Sequence, residues 1–248
     1  MKTIPASSMA TFLGVNVGIV SGAVAGSMAF SRLFGIGFSS FIPWTIGFVV
    51  FYGGNLMFAW AWLRFHSWPV GPVRPGTRFD HVYGVYQLLY VFFLYPISFS
   101  RLLAPPFTSL WHRFIGARIG KNSFPSAALI CEGQYVSLGD HVTLGANCML
   151  SPHIMTGERL TMGRIVVGDH ATVGPNSIVY GDVEIGDGAL VLANSAVTPG
   201  TRIGPDEMWG GNPVRKVRDI RPGESAWQER ERKCQAMHAP VFAQAQEP

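Results

Sequence analysis

Residues 167–210 read VGDHATVGPNSIVYGDVEIGDGALVLANSAVTPGTRIGPDEMWG and repeat with a period of six. An apolar residue returns at every sixth position without a break, and glycine often follows it. The apolar register is Val167, Val173, Val179, Ile185, Val191, Val197, Ile203 and Trp209. This period is neither helical nor that of a simple alternating strand. It is typical of a parallel β-helix, in which each hexad forms one side of a triangular coil and its aliphatic side chain points inward.

A second run of hexads precedes this stretch and is out of phase with it. Leu138, Leu144 and Leu150 are six residues apart, but the 17 residues from Leu150 to Val167 are not a multiple of six. We therefore expect the intervening segment to leave the coil as a loop. Function concentrates in loops that a rigid scaffold holds, and this loop carries His153 and Glu158.

The charged residues are few and unevenly placed. Only 14% of the chain is charged, and residues 1–111 hold six of the 19 basic residues and one acidic residue, Asp80. Long charge-free stretches in this half can each supply the roughly 20 residues that cross a bilayer. The sequence predicts membrane spans at 9–30, 41–63 and 83–103. Because the basic residues of this half flank the spans, nucleic acid is not a predicted partner despite the net charge of +4.

The first predicted span has glycine at every fourth position, at Gly14, Gly18, Gly22 and Gly26. Residues four apart share one face of a helix, and glycines there let a second membrane helix approach closely. This face could pack against a partner membrane protein. The alternative is a membrane helix that merely tolerates glycine.

Cysteine and histidine placement does not predict a metal site. The three cysteines are scattered with no CxxC pair, which favours neither a zinc site nor a disulfide framework. His141 and His170 both occupy the fourth position of a hexad, where we expect solvent-facing side chains. Together with His153 they lack the close spacing of three zinc-binding histidines.

Three further motifs carry a family resemblance. Residues 115–121 read IGARIGK, residues 166–174 read VVGDHATVG, and residues 207–216 read EMWGGNPVRK. The stretch GPVRPGTR at 71–78 adds to them. From about residue 60 to residue 218 the chain resembles the membrane-attached condensing domains of poly-lysine synthetase, within the left-handed β-helix (hexapeptide-repeat) acyltransferases.

The resemblance implies a mixed fold of about three transmembrane α-helices followed by a left-handed parallel β-helix with a C-terminal helix. The expected organisation is a transmembrane region over 1–104, an interfacial connector over 105–118, the β-helix over 119–218, and a C-terminal helix and tail over 219–248. Residues 105–118 are expected to lie along the lipid headgroups, or else to be a buried connector.

The resemblance also implies the roles of particular residues. A histidine in such a loop is typically the general base of these enzymes, which indicates His153, and Glu158 is the nearest acid that could orient it. The alternative is that His153 is a polar loop residue without a role. The acyl donor would be acetyl-CoA or another thioester, used as a co-substrate rather than as a bound cofactor. Its matching positions are Ala193, Asn194, Ser195, Gly211, Asn212, Arg215 and Lys216; for the last two residues a solvated turn is the alternative.

The function that this resemblance implies is acyl transfer at a membrane. An acetyl, other acyl or aminoacyl group would pass to a hydroxyl or amine of a glycan, lipid-linked or membrane-proximal acceptor. Since acyl thioesters are cytoplasmic, the β-helix of a multi-pass inner-membrane protein would face the cytoplasm, and a single β-helix per chain implies a homotrimer. The rival interpretation is a non-catalytic structural or scaffold subunit of a membrane complex.

Overall fold

The computed structural model describes residues 4–37, 41–100, 103, 107–125 and 127–220. Its contacts divide the chain into two compact units. The helical unit takes Met1–Arg118, Leu129–Val136 and Pro152–Gly163, and the coil unit takes Ile119–Ala128, Ser137–Ser151 and the chain from Arg164 onward. Two segments from within the predicted β-helix range thus belong to the helical unit.

Three helices of the helical unit are long and apolar enough to cross a membrane, as the sequence predicts. They are α1 (Ala6–Phe34), α2 (Phe41–Phe65) and a continuous run made of α3 (Arg78–Leu89), a π-helical turn (Tyr90–Leu94) and α4 (Tyr95–Phe99). The third helix begins before residue 83 because Thr77 caps it, its hydroxyl accepting a hydrogen bond from the Asp80 backbone at 3.2 Å.

The strands are short, as expected of a repeat built from six-residue sides. In chain order they are β1 (Gly71–Val73), β2 (Arg118–Ile119), β3 (Leu129–Ile130), β4 (Val136–Leu138), β5 (Thr143–Leu144), β6 (Met149–Ser151), β7 (His153–Thr156), β8 (Arg159–Met162), β9 (Ile165–Val167), β10 (Thr172–Val173), β11 (Ile178–Tyr180), β12 (Val183–Ile185), β13 (Leu190–Val191), β14 (Ala196–Val197), β15 (Arg202–Ile203), β16 (Glu207–Gly210) and β17 (Arg215–Asp219).

The coil unit stacks its strands in three columns with the predicted register. Parallel pairing places Leu144 beside Val173 and Val173 beside Val191 in one column. The other two columns are Leu150–Val179–Val197 and Val167–Ile185–Ile203. These side chains are buried, so the sixfold pattern is an inward-facing aliphatic stack, and the prediction of a parallel coil is confirmed.

Glycine beside the apolar position lets successive turns of the coil approach closely. A Cβ atom added to Gly174 would lie 2.5 Å from the backbone nitrogen of Ala193. Real Cβ atoms do not approach backbone this closely, so a larger residue here would force the two turns apart.

A β-hairpin rather than an irregular loop fills the break in the hexad register. β7 pairs antiparallel with β8, and β8 pairs antiparallel with β1. The resulting three-stranded sheet lies within the helical unit, which explains why its residues do not follow the period of six.

The third apolar helix packs into the helical unit far more than the first two. Of its most apolar window, 44% is buried inside the protein, against 6% for α1 and 11% for α2. Trp68 makes edge contacts with Tyr86 of α3, at 5.4 Å between ring centroids, and with Tyr135, at 6.4 Å. One face of this helix is therefore a wall of the protein core.

α1 and α2 contact each other away from the glycine face of α1. Gly54 of α2 lies against Ile19, and Gly47 lies against Ser27. Apart from the backbone of α1 itself and the adjoining residues, no atom of the described chain lies within 4 Å of where a Cβ atom would be at Gly14, Gly18, Gly22 or Gly26 on that face. Its use by a partner protein stays a prediction.

The predicted connector contains α5 (Phe107–Phe114). The indole of Trp111 donates to the Ser98 hydroxyl at 2.8 Å, and the His112 side chain is buried. Phe107 and Leu110 are more than half exposed. The expected position along the headgroups stays a prediction.

The last two described strands, β16 and β17, form an antiparallel pair. Asp219 is the last residue of β17. The C-terminal helix and tail predicted over 219–248 therefore do not begin at Asp219, which is still in the strand. Residues 221–248 lie outside the described residues.

Candidate active site

His153 and Glu132 form a close pair in the helical unit. Nδ1 of His153, the first residue of β7, lies 2.9 Å from both Oε1 and Oε2 of Glu132. An ionised carboxylate only accepts hydrogen bonds, so Nδ1 carries the proton of this contact. The basic lone pair of the neutral ring is then on Nε2, the arrangement of a histidine general base whose other nitrogen is held by an acid.

Local backbone structure places Glu132 against this ring. The residue follows β3 and precedes a tight helical turn, Gly133–Tyr135. A Cβ atom added to Gly133 would lie 2.8 Å from the Ile115 carbonyl oxygen. Glycine therefore allows the close approach that turns the chain here and directs the carboxylate inward.

Two tyrosines of α3 bind the same short segment. The Tyr83 hydroxyl donates to Oε1 of Glu132 at 3.0 Å, and the Tyr86 hydroxyl donates to the Cys131 carbonyl oxygen at 2.7 Å. Because a buried carboxylate is costly unless it is hydrogen-bonded, Tyr83 and His153 together stabilise Glu132.

The pair changes the acid–base behaviour of His153. The hydrogen bond to Glu132 raises the pKa of the imidazole above its ordinary value, and partial burial opposes that rise without cancelling it. The His153 side chain is 33% exposed while that of Glu132 is 6% exposed. The histidine is thus reachable by a substrate, whereas its acidic partner is shielded from water.

The pair opens into a cavity of about 300 Å³. Its walls come from α3 with the following π-helical turn, from the segment before Gly133, and from the hairpin β7–β8. The lining includes Tyr83, Tyr86, Gln87, Val91, Glu132, His153, Met155 and Leu160. A substrate group in this cavity would lie against the His153 ring.

The predicted acidic partner differs from the observed one. Glu158 lies exposed in the turn between β7 and β8. The carboxylate that contacts the His153 ring, at 2.9 Å from Nδ1, belongs to Glu132. The sequence favours Glu158 because this residue is near His153 in the chain. Glu132 is the only acidic residue of the apolar segment ALICEGQYV, at 128–136, where the six-residue period is interrupted. This is the sequence feature that could have indicated it.

The predicted donor-binding residues lie in the coil unit, and the structure links some of them. The Ser195 hydroxyl accepts from the Gly211 backbone at 3.2 Å and donates to the Leu192 carbonyl oxygen at 2.7 Å. Asn194 has a positive φ of 58° at a corner of the coil, and Ala193 precedes it. Ala193–Ser195 and Gly211 therefore belong to one corner region, and Asn212 follows Gly211 directly.

Lys216 and Arg215 differ in their surroundings. Lys216 Nζ pairs at 2.6 Å with both Glu207 Oε1 and Asp219 Oδ1. These contacts raise the pKa of Lys216, and the Lys216 hydrogen bond is the main cause that lowers the pKa of Glu207. Arg215 is exposed beside it. Arg215 thus has the less compensated charge for an anionic ligand.

His141 and His170 stack on the surface of the coil unit. Their ring centroids are 4.8 Å apart with an interplanar angle of 2°, and both residues are exposed, as predicted. Among the residues that the structure describes, no group of three or more His, Cys, Asp or Glu side chains is arranged to hold a metal ion.

Comparison with known proteins identifies the repeat. Residues 164–199 match the family model described as bacterial transferase hexapeptide (six repeats). The coil unit therefore contains the hexapeptide repeat of bacterial transferases, as the spacing of its apolar residues predicts.

Two curated relatives are similar over part of their length. The chain is 30% identical over 112 residues to the acetyltransferase candidate YvoF of Bacillus subtilis, covering 44% of this chain and 63% of the relative. It is 26% identical over 119 residues to the delta-poly-L-ornithine synthetase of Acinetobacter baumannii, covering 48% of this chain and 9% of the synthetase. The second match confirms the resemblance to synthetases of basic poly-amino acids.

Solved structures show a partial likeness. A hexapeptide-repeat acetyltransferase of Vibrio cholerae, complexed with acetyl coenzyme A, has 18% identity and a TM-score of 0.43, covering 52% of this chain and 86% of that one. A maltose O-acetyltransferase of Clostridium difficile has 18% identity and a TM-score of 0.42, covering 52% and 83%. A likeness of this size assigns no activity.

Proposed function

We propose that the protein is a membrane-anchored acyltransferase with His153 as its general base. It moves an acetyl, other acyl or aminoacyl group from a thioester donor to a hydroxyl or amine of a glycan, lipid-linked or membrane-proximal acceptor. The observation that carries this proposal is the His153–Glu132 pair, which opens into a cavity. The hexapeptide repeat at 164–199 and the similarity to an acetyltransferase candidate support it.

The transfer needs one proton acceptor. Nε2 of His153 takes the proton of the acceptor hydroxyl or amine as that group attacks the thioester carbonyl carbon. A new C–O or C–N bond forms, the C–S bond breaks, and the leaving thiolate receives the proton from His153. Glu132 holds the ring in the reactive tautomer and stabilises the imidazolium between the two proton transfers.

The thiol of Cys131 is poorly suited to carry the acyl group. Cys131 lines the same cavity, but burial raises the pKa of its thiol to about 12. Since the thiolate is the nucleophilic form, Cys131 stays protonated near neutral pH. Burial thus disfavours Cys131 as the nucleophile, and the proposed route is direct transfer from donor to acceptor.

The donor is acetyl-CoA or a related thioester. The corner region of Ala193, Asn194, Ser195 and Gly211, with Asn212, offers backbone groups to its pantetheine arm. Arg215 is a partner for its phosphates, since guanidinium groups bind phosphate oxygens well. Lys216, already paired with two carboxylates, contributes less.

The donor also sets the topology. Acyl thioesters are cytoplasmic, so the coil unit faces the cytoplasm, and three membrane spans place the N-terminus on the opposite side. We propose a homotrimer at the inner membrane. Each chain supplies one β-helix, so an assembly of three coils takes three chains.

A second function is favoured by one observation, the open glycine face of α1. Since no other element of the described chain covers Gly14, Gly18, Gly22 and Gly26, another protein's helix could pack there. The chain would then be a structural subunit of a membrane complex and not an enzyme.

The test uses the full chain purified in lipid nanodiscs. We expect thiol release from acetyl-CoA in the presence of source membranes, and loss of that release in His153→Ala. His141→Ala, which changes an exposed histidine of the coil unit, is the matched control and keeps full activity. Equal rates in wild type and His153→Ala would refute the enzyme, and stable co-purification of a second membrane protein would then favour the structural subunit.

A further inference from the structure

One wall of the cavity at His153 comes from a helix that is apolar enough to span a membrane. Tyr83, Gln87 and Val91 all line the cavity and all lie within Arg78–Phe99. Their spacing of four residues places them along one face of that helix. The histidine of a hairpin and the polar face of an apolar helix thus share a single site.

The exposure of the lining residues defines an inside and a mouth. Tyr83, Glu132 and Leu160 are 2%, 5% and 2% exposed, whereas Val91 is 59% and Met155 is 48% exposed. The inner end carries the carboxylate and tyrosine hydroxyl, and the outer end has an apolar side chain on each wall. A ligand that satisfies both ends has a polar reactive group and an apolar remainder.

The cavity is too small to enclose a whole lipid. Its volume of about 300 Å³ is at the lower limit of pockets that enclose a small ligand, roughly 300–1,000 Å³. It has room for one head group near His153. Whatever is attached to that head group must leave past Val91 and Met155.

The backbone at the mouth is unusual. Residues Tyr90–Leu94 form a π-helical turn inside the third apolar helix, and such turns occur frequently at functional sites. The same helix carries Gln87 in the cavity wall. Polar side chains within apolar membrane helices commonly mark a substrate path.

We infer that the acyl acceptor is a membrane amphiphile, a lipid or lipid-linked molecule. Its hydroxyl or amine reaches Nε2 of His153, and its hydrocarbon chain leaves the cavity between Val91 and Met155 into the bilayer. This inference rests on the proposed function and selects one class among the acceptors named there.

The test follows an acetyl label into membrane extracts. The full-length protein in nanodiscs is incubated with [14C]acetyl-CoA and the total membrane lipid and water-soluble extracts of the source organism, which are then separated into organic and aqueous phases. We expect label in the organic phase, and its loss in His153→Ala.

Two matched variants on one strand examine the exit path. Met155→Asp puts a charge at the mouth and is expected to lower label in the organic phase about tenfold, the scale of losing an apolar contact in a specificity pocket. Thr156→Asp adds the same charge at the next, exposed position, outside the cavity lining, and leaves labelling unchanged.

The outcomes separate this inference from the proposed function. Label that depends on His153 but is confined to water-soluble products would overturn the amphiphile while retaining the acyltransferase. Equal labelling by Met155→Asp and Thr156→Asp would refute the exit path. Absence of any His153-dependent label in either phase would refute acetyl transfer by this site.

Discussion

The hydroxyl of Tyr83 donates a 3.0 Å hydrogen bond to Glu132, the residue whose carboxylate holds His153. Tyr83 lies on a helix that is apolar enough to span a membrane. The apolar helices therefore do more than provide segments long enough to cross a membrane, because one of them contributes directly to the polar site. Detaching that helix would remove a wall of the cavity and a hydrogen bond from the acid.

Replacing Glu132 with glutamine tests the carboxylate. An amide N–H can face Nδ1 and favour the wrong tautomer of His153, so we expect kcat to fall about 10²- to 10⁴-fold. The pKa of His153 is raised by Glu132, and a base acts only when deprotonated. The rise of residual activity with pH should therefore begin at lower pH in Glu132→Gln than in wild type.

The measurement is kcat as a function of pH, with Glu158→Gln as the matched control. Glu158 is exposed in the hairpin turn, so we expect both the rate and the profile of that variant to match wild type. A pH profile shifted by Glu158→Gln and not by Glu132→Gln would restore Glu158 as the orienting acid.

Replacing Tyr83 with phenylalanine keeps the ring and removes the hydroxyl. We expect kcat to fall about ten- to hundredfold, since a hydrogen bond to a charged group contributes about 1.5–3 kcal/mol and about 1.4 kcal/mol is a factor of ten, while KM for acetyl-CoA stays constant. Tyr95→Phe is the control because Tyr95 packs on Tyr90 and Phe99 and lies outside the cavity lining. An equal loss in both variants would indicate a general packing effect.

Arg215 and Lys216 should differ in their effect on donor binding. Arg215→Gln is expected to raise KM for acetyl-CoA about tenfold, and Lys216→Gln to raise it less, because Lys216 is neutralised by Glu207 and Asp219. Acetyl-pantetheine, which lacks the nucleotide phosphates, should be used equally by both variants and wild type. If Arg215→Gln impairs both donors alike, Arg215 does not bind the phosphates.

The inward register of the coil is tested by two identical changes at neighbouring positions. Val167 is 2% exposed and Val166 is 41% exposed. Val167→Ala should lower the free energy of unfolding by about 2 kcal/mol through lost burial and a residual cavity, and Val166→Ala by much less. Thermal unfolding of the full chain in nanodiscs measures both, and equal midpoints would contradict the register.

The repeat and the apolar helices could be predicted because each is a local pattern that burial or length enforces. Val173 stacks on Val191, one turn of three hexads later, wherever six residues make one side of the coil. The partner of His153 could not be predicted in the same way. Glu132 lies 21 positions away, and only the tertiary packing of β3, the hairpin and α3 brings it to the ring.

The hairpin and the third helix show the same limit. The broken register at Leu150 predicts that the chain leaves the coil, but not that β8 pairs with β1, some 90 residues earlier in the chain. Hydropathy predicts the third apolar helix, but not that nearly half of its apolar window is buried inside the protein.

The pairing of the coil strands does not depend on the length of the hairpin between them. The coil strands on either side of it, β6 and β9, find their partners in β11 and β12, so their register does not depend on how many residues separate them. The exposed positions of the hairpin, from Met155 to Arg159, could therefore change while Leu160 and Met162 stay buried in the core of the helical unit. A lineage that kept β1, His153 and the buried side of the hairpin could thus acquire new acceptor preferences by altering Met155, which is 48% exposed, at little cost to folding.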